Sequence, residues 1–355
     1  MKVNTEQFKE LVSKSIVGAS NNKLIPITQF MGIKKFNDAI QLITTDATNY
    51  LYVYGNVDAD ITDDIEVTVY AEQFAKLISK MTSKEIILEI KDNVLEITGN
   101  GTYSIELPLD ENGDIIKYPN PASEIKSKPN NKIALSDIRV ILDTVKPSLA
   151  TDMSTPALTN YFVGDKIMAT DSYKIASFDK QILDNDYLIS PELLDLFSVI
   201  SADTVTYVVE NDSILFDAGD IVIYGKLTNE DYPVDVLEKL IEEKFPSVCK
   251  INKADFLNAL DRMSLFVSKY DDKAIRLYFE KDGVIIANKN RKSNEKLDYA
   301  SSNKHKDFDC VIDIEFLTTQ IKAYASDVVE LHYGKDNSIK LVDGNITQVI
   351  ALNEK

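Results

Sequence analysis

Apolar positions recur at helical spacing in three segments of similar length, 6–19, 136–148 and 254–268. In the first, Phe8, Leu11, Val12 and Ser15 share a face; in the third, Phe256, Leu257, Leu260 and Ser264 do. Each segment follows a strand-like opening: Lys2-Val3-Asn4, Lys132-Ile133-Ala134-Leu135 and Cys249-Lys250-Ile251-Asn252. A second set of helical segments, 71–81, 191–200 and 314–325, comes in the same order. After each of these, strict alternation takes over at 85–99, 204–219 and 328–344, broken by short Asn/Asp/Gly turns. That pattern predicts β-hairpins. Further strands are expected at 39–44, 165–169 and 283–287, each ending near a polar turn, Thr45-Asp46, Thr170-Asp171 and Asn288-Lys289.

The chain therefore reads as three copies of about 120 residues. Each copy is itself two rounds of strand, helix and strands. Boundaries are set where the pattern breaks, giving domains 1–121, 122–245 and 246–355. The first break is the proline-containing polar stretch from Tyr118-Pro119 to Pro129-Asn130-Asn131; the second lies around 242–246. Strands outnumber helices and no parallel βαβ pattern is evident. The expected class is α+β, each domain carrying two helices packed on antiparallel sheets. Six equivalent helices can close a pseudo-symmetric surface, and a dimer doubles it.

Composition narrows the chemistry. The 355 residues carry a formal charge of −18, which repels bulk nucleic acid and anionic membranes without excluding a local basic surface. Cys249 and Cys310 are too few for a disulfide scaffold, and His305 and His332 leave little for metal or proton chemistry. The opening MKVNTEQFKELVSK lacks the apolar core of a secretory signal, and no apolar run is long enough to span a membrane. A cytoplasmic location is expected. Gly99-Asn100-Gly101 lies between hairpin strands and lacks the third glycine of a dinucleotide loop. The stretch from Asp110 to Asp114 opens like a calcium loop, but Ile115 and Pro121 stand where Gly and Glu are needed. The run Asp58, Asp60, Asp63 and Asp64 is expected to be a solvated connection; a metal-dependent hydrolase built on it remains an alternative.

Several stretches, in order along the whole chain, resemble the bacterial DNA polymerase III β subunit, the sliding clamp family. In the first domain these are Lys23-Leu24-Ile25-Pro26-Ile27, Leu42-Ile43-Thr44-Thr45-Asp46, Val69-Tyr70-Ala71-Glu72-Gln73-Phe74 and Asp92-Asn93-Val94-Leu95-Glu96-Ile97. In the second they are Met168-Ala169-Thr170-Asp171-Ser172-Tyr173-Lys174-Ile175-Ala176, similar to the family's A-T-D-[GS]-[HY]-R-L-A, and Asp231-Tyr232-Pro233. In the third, the run from Phe256 to Leu265 is similar to the family's first helix.

The resemblance implies a non-catalytic processivity factor without a cofactor. It implies a head-to-tail homodimer that closes a ring of six domains around duplex DNA. Helices would line the hole and retention would be topological. Bases assigned to DNA are Lys23, in a loop, with Lys9, Lys14, Lys76, Lys80, Arg139, Lys146, Arg262 and Lys322 on the helices. DNA polymerase, the clamp loader and other partners would insert a short linear peptide between the second and third domains. Its cleft is assigned to Leu158, Thr170, Ser172, Tyr173, Lys174, Ile175, Val349, Ala351, Leu352 and Asn353. Tyr103 and Ile105 would meet Leu265 and Phe266 of the partner.

The chain also departs from the family. The usual apolar-Pro-apolar-Arg ending is replaced by Val349-Ile350-Ala351-Leu352-Asn353-Glu354-Lys355. Glu242 stands at a family proline, and Asp272 at an apolar position. These changes suit a diverged, phage-borne member with an altered cleft. The competing reading is a clamp-fold interaction protein, or decoy, that binds clamp partners without loading on DNA.

Overall fold

The computed structural model of the chain describes every residue except 37–38, 56–64, 268–272, 304 and 355. Among the described residues the α-helices are α1 (Thr5–Ser15), α2 (Ala71–Lys80), α3 (Leu135–Val140), α4 (Pro191–Asp195), α5 (Val234–Glu242), α6 (Lys253–Ser264) and α7 (Ile314–Ala323). Three of them start at an Asx cap. The Asn4 side chain accepts from the Glu6 and Gln7 amides, Asn252 from Asp255, and Asp313 from Glu315 and Phe316. Each cap satisfies a helix-end amide and is worth about 1 kcal/mol.

The middle copy differs from expectation. No Asx residue precedes α3, and the α-helix lasts only to Val140. A π turn then covers Ile141–Val145 and a 3-10 turn Lys146–Ser148. Thr144 Oγ1 donates to the Val140 carbonyl at 2.6 Å, and Pro147 has no amide to continue the ladder. The segment expected at 191–200 divides in the same way, into α4 and the 3-10 turn Leu196–Val199.

Contacts group the residues into two compact units, Met1–Leu135 with Glu192–Leu227, and Ser136–Pro191 with Thr228–Lys355. The first holds an eight-stranded sheet in the order Glu66–Tyr70, Phe30–Phe36, Ala39–Thr45, Tyr50–Gly55, Ile221–Lys226, Ser213–Asp217, Thr204–Glu210 and Asn131–Ala134. It also holds the four-stranded sheet Lys2–Asn4, Glu85–Lys91, Val94–Thr98 and Thr102–Glu106. Helices α1 and α2 pack together through Phe8 and Phe74, whose rings meet edge to face at 6.0 Å.

The second unit holds a nine-stranded sheet: Tyr187–Ile189, Tyr161–Val163, Ile167–Thr170, Lys174–Phe178, Ile346–Ala351, Ser338–Asp343, Val328–Tyr333, Ser247–Asn252 and Ser301–Asn303. Its four-stranded sheet is Asn294–Asp298, Gly283–Asn288, Ala274–Phe279 and Phe308–Asp313. Helices α6 and α7 contribute Phe256, Leu260, Leu317 and Ile321 to the core of this unit. Among the described residues all strand pairs in both units are antiparallel. In each large sheet a strand of one expected copy pairs with the last strand of the next: Ile221 faces Val53, and Lys174 faces Ile350.

In the first unit this seam carries a tyrosine cluster. Tyr50 lies 5.9 Å from Tyr224 and 6.4 Å from Tyr52, ring to ring. The stretch after the first hairpins folds over them. Tyr118 donates to the Phe30 carbonyl at 3.2 Å, and the Tyr52 hydroxyl accepts from the Ala122 amide at 3.2 Å. Gly32 lies directly beneath; a Cβ there would stand 2.7 Å from the Tyr118 side chain.

Burial pushes the hydroxyls of Tyr52 and Tyr118 far above their ordinary pKa of 10.0. A raised folded pKa contributes stability that is fully present below pH 10 and declines above it, where the unfolded chain loses protons that the folded chain keeps. The two hydroxyls together should cost about 3 kcal/mol of stability at about pH 11. Tyr118→Phe should remove roughly half of that pH dependence in urea unfolding measured from about pH 9 to 11. An unchanged slope would show that Tyr118 ionises in the folded chain.

Candidate functional site

The sequence stretch Thr170-Asp171-Ser172-Tyr173-Lys174 forms the tight turn between strands Ile167–Thr170 and Lys174–Phe178. Asp171 Oδ1 accepts from the amides of Tyr173 at 2.9 Å and Lys174 at 2.7 Å. Its Oδ2 accepts from Lys174 Nζ at 2.5 Å, and the Ser172 amide donates to Thr170 Oγ1 at 3.1 Å. Ser172 has φ 76. The first copy repeats this device. Asp46 Oδ1 accepts from the amides of Thr48 and Asn49 at 2.9 and 2.7 Å, its Oδ2 from Asn49 Nδ2 at 2.9 Å, and Ala47 has φ 94. The Thr-Asp pair thus builds the turn. The difference lies in what the turn presents: Thr48 and Asn49 in one case, Tyr173 and Lys174 in the other.

Tyr173 is 61% exposed, although its ring lies only 5.8 Å from that of Phe316 on α7. Lys174 Nζ sits 4.5 Å over the same Phe316 ring, so the buried ammonium has both a carboxylate and an aromatic face. The chain's last strand runs alongside. Lys174 pairs with Ile350 and Ile175 with Val349, and the Ala351 amide donates to the Tyr173 carbonyl at 2.9 Å. Beyond it, the Leu352 amide donates to Asn337 and the Asn353 amide to Val311, both at 2.9 Å.

Beneath lies a cluster of Ala157, Phe162, Met168, Ile175, Leu188, Leu237 and Val349, with Tyr232, Val234, Leu240 and Ile241 packed against it. Helix α5 supplies four of these residues and was missed by the search for repeated helix pairs. Its signal was present, since Val234, Leu237, Leu240 and Ile241 follow helical spacing. Tyr232 stacks on Phe162 at 5.6 Å at one end of α5. At the other, Lys340 Nζ donates to the carbonyls of Ile241 at 3.1 Å and Glu243 at 2.7 Å. Burial pushes the Lys340 pKa down. Lys166 pairs with Glu238 at 3.1 Å and Glu242 at 3.8 Å, and Lys335 pairs with Glu243.

No protein-family model matches the chain. The β sliding clamp of Staphylococcus epidermidis strain RP62A is 24% identical over 297 residues, 78% of this chain and 76% of that protein. The β subunit from DNA polymerase of Streptococcus pyogenes superposes with a TM-score of 0.88 at 19% identity, covering 100% of this chain and 99% of the other. The DNA polymerase sliding clamp from Bacillus subtilis gives 0.85 at 16% identity, covering 100% and 98%. The chain has the β sliding clamp fold.

Within this clamp fold the residues expected in a cleft come from two distant segments and meet in the second unit. Ser172 and Tyr173 face solvent, and Ala351, Leu352 and Asn353 are half-buried. Thr170, Lys174, Ile175 and Val349 are buried, as is Leu158; its neighbour Ala157 joins the cluster under α5. The expected basic residues fall in both units. Lys23 is exposed in a turn where the Leu24 amide donates to Asn22 Oδ1 at 3.0 Å. On α1, Lys9 pairs with Glu6 at 2.8 Å and Lys14 with Glu10 at 2.9 Å; on α2, Lys76 pairs with Glu72 and Lys80 is exposed. In the second unit Arg139 and Lys322 are exposed, Lys146 is half-buried, and Arg262 pairs with Glu295 at 2.5 Å.

Of the residues expected at a dimer contact, Tyr103 is partly exposed on the edge strand Thr102–Glu106, and Leu265 and Phe266 protrude after α6. Ile105 is only 3% exposed. Tyr103 and Ile105 share one face of the strand, opposite the buried Ile97 and Leu95; Ile105 packs into its own core there, whereas Tyr103 on the same face is 39% exposed. The run 58–64 and Asp272 lie outside the described residues.

The turn and the exposed ring separate cleanly by mutation. Asp171→Ala removes three hydrogen-bond acceptances and leaves Lys174 without its carboxylate, and should cost about 2–3 kcal/mol in urea unfolding. Tyr173→Ala should cost under about 1 kcal/mol, since most of the ring is already in water. The reverse order would show that Tyr173 is a packing residue.

Proposed function

We propose that this chain is a DNA sliding clamp of the DNA polymerase III β-subunit family, a non-catalytic tether that holds replication proteins on duplex DNA. The observation that carries the reading is the superposition on clamp structures over 100% of the chain. Three clamp domains, 1–121, 122–245 and 246–355, would repeat within each copy. Two copies would close head to tail, the Tyr103 edge of one meeting Leu265 and Phe266 of the other. Such an edge strand has unpaired backbone groups and suits pairing with a second chain.

The electrostatics suit sliding. A clamp that gripped phosphates tightly would lose mobility, because each strong contact must break before the next forms. Here Lys9, Lys14 and Lys76 are each neutralised by an acid one turn away, and the net charge is −18. Retention then depends on the closed ring rather than on adhesion. Polymerase, clamp loader and other partners would dock a short peptide at Tyr173 and the chain's last strand, where apolar and aromatic groups can bury its side chains. Among the described residues no helix is long and apolar enough to cross a membrane, and the proposed location is the cytoplasm.

The test is retention on DNA. The protein should run at twice its 39.9 kDa chain mass. Loaded on nicked circular DNA, it should survive a high-salt wash and be lost when the circle is cut. Lys23→Glu should lower the amount loaded several-fold without lowering thermal stability. Loss from circular and linear DNA at equal rates would overturn the encircling reading, and peptide binding without any loading would favour the decoy.

A further inference from the structure

Two residues at the base of the proposed peptide site are already covered. Ile175 and Val349 are 6% and 4% exposed, and the side chains over them belong to α5: Leu237, Leu240 and Ile241. Tyr173, on the same turn, stays open. The site is thus divided into an outward aromatic part and a floor occupied by the chain's own helix. We propose that α5 is a lid on the peptide site, held shut at its C-terminal end by Lys340 and displaced when a partner peptide takes the floor. The proposal rests on the peptide-docking reading and concerns its regulation.

A helix of nine residues does not persist alone in water, so α5 depends on what holds it. Its N-terminal end is anchored by Tyr232 on Phe162. At its C-terminal end the cap residue Glu243 leaves the helix with φ −55 and ψ 133. There the Lys340 ammonium, on strand Ser338–Asp343, donates to two of the last carbonyls, where the helix dipole favours a cation. The Phe245 ring lies 5.4 Å from the same ammonium. Beside it Lys335 pairs with the half-buried Glu243, and Lys166 reaches Glu238 and the exposed Glu242. Such partly solvated pairs are individually weak, so the buried Lys340, which bonds the helix carbonyls directly, is the main fastening at that end and Lys335 supports it. The N-terminal anchor would act as the hinge. An incoming peptide can meet Tyr173 and Phe316 first, and compete with Leu240 and Ile241 for Ile175 and Val349 afterwards.

A site whose competent state is partly populated binds with affinity reduced by that fraction. Lys340→Met keeps the buried stem and removes the ammonium. It should tighten binding of a fluorescent hexapeptide carrying adjacent Leu and Phe by about five- to tenfold, read by anisotropy. Tyr173→Ala should weaken the same binding. In the wild-type chain, saturating peptide should speed amide hydrogen exchange across 234–242 at least several-fold, a readout that needs no variant. Tighter binding with faster exchange supports the lid. Unchanged or weaker binding by Lys340→Met, or slower exchange with peptide, while Tyr173→Ala still weakens binding, makes α5 a fixed wall and overturns the lid alone. Binding that is absent, or indifferent to Tyr173→Ala, removes the peptide-docking reading and the lid with it.

Discussion

A strand at the edge of a sheet leaves one row of backbone donors and acceptors unpaired, and that row must be covered or used. In this chain Lys174–Phe178 would be such an edge if the last strand, Ile346–Ala351, did not pair with it. The same relation joins Tyr50–Gly55 to Ile221–Lys226. These two seams turn short sheets from successive copies into long ones. They also explain why contacts group the residues into two units while the repeats suggest three. The candidate site depends directly on the second seam. Tyr173 and Lys174 come within reach of Val349–Asn353, some 175 positions later in the chain, because the Ala351 amide ends the ladder on the Tyr173 carbonyl.

The two seams share one construction and differ in what they present. Both carry the Thr-Asp turn, and both are crossed by a Tyr-Pro pair, Tyr118-Pro119 and Tyr232-Pro233. At the first seam the strap ends in irregular chain and the sheet face is filled with tyrosines, of which Tyr52, Tyr54, Tyr118 and Tyr224 are hydrogen-bonded through their hydroxyls. Such a face is closed. At the second the strap becomes α5, and the turn places an aromatic ring in water beside a buried lysine. Aromatic rings with a polar neighbour are common anchors for a partner. Equivalent positions in one fold thus present a closed tyrosine face at one seam and an exposed aromatic ring at the other.

The alternation and the helical periods were legible in the sequence because each element buries one face, and burial imposes period 2 or 3.6 on the residues. The expected helices all appear near their predicted places, and the hairpins at 85–99, 204–219 and 328–344 match strands Glu85–Lys91 with Val94–Thr98, Thr204–Glu210 with Ser213–Asp217, and Val328–Tyr333 with Ser338–Asp343. What could not be read was local interruption and long-range partnership. The break after Val140 follows from a threonine hydroxyl competing for the backbone, an interaction that leaves no periodic trace. Helix α5 has no counterpart in the repeat, so a search guided by repetition passes over it. Ile105 and Tyr103, two residues apart, share a face of the edge strand, and the sequence pattern does not show that this face packs on Leu95 and Ile97 of the chain's own sheet. The turn at Asp171 was legible as a motif, but its Asp and Thr proved to be scaffolding around the exposed Tyr173.

Two departures from the family pattern acquire a common physical meaning at the cleft. The resemblance sets a proline at the position of Glu242 and, with Glu354 at the arginine of the apolar-Pro-apolar-Arg ending, a second one two residues earlier, at Leu352. A proline at 242 would push Ile241 out of the helical region and strip an amide from the end of α5. With Glu242 in its place, the helix runs through that residue and ends where Lys340 meets its carbonyls. A proline at 352 could not donate the amide that reaches the Asn337 carbonyl at 2.9 Å. With leucine there, the chain end stays bonded one residue beyond the last strand. Each replacement adds a backbone donor, and each extends regular structure over or beside Ile175 and Val349. Under the proposed docking reading, the altered ending would make a stiffened and covered cleft rather than a degraded one, and a partner peptide would either displace α5 or rely on Tyr173 and Phe316 alone.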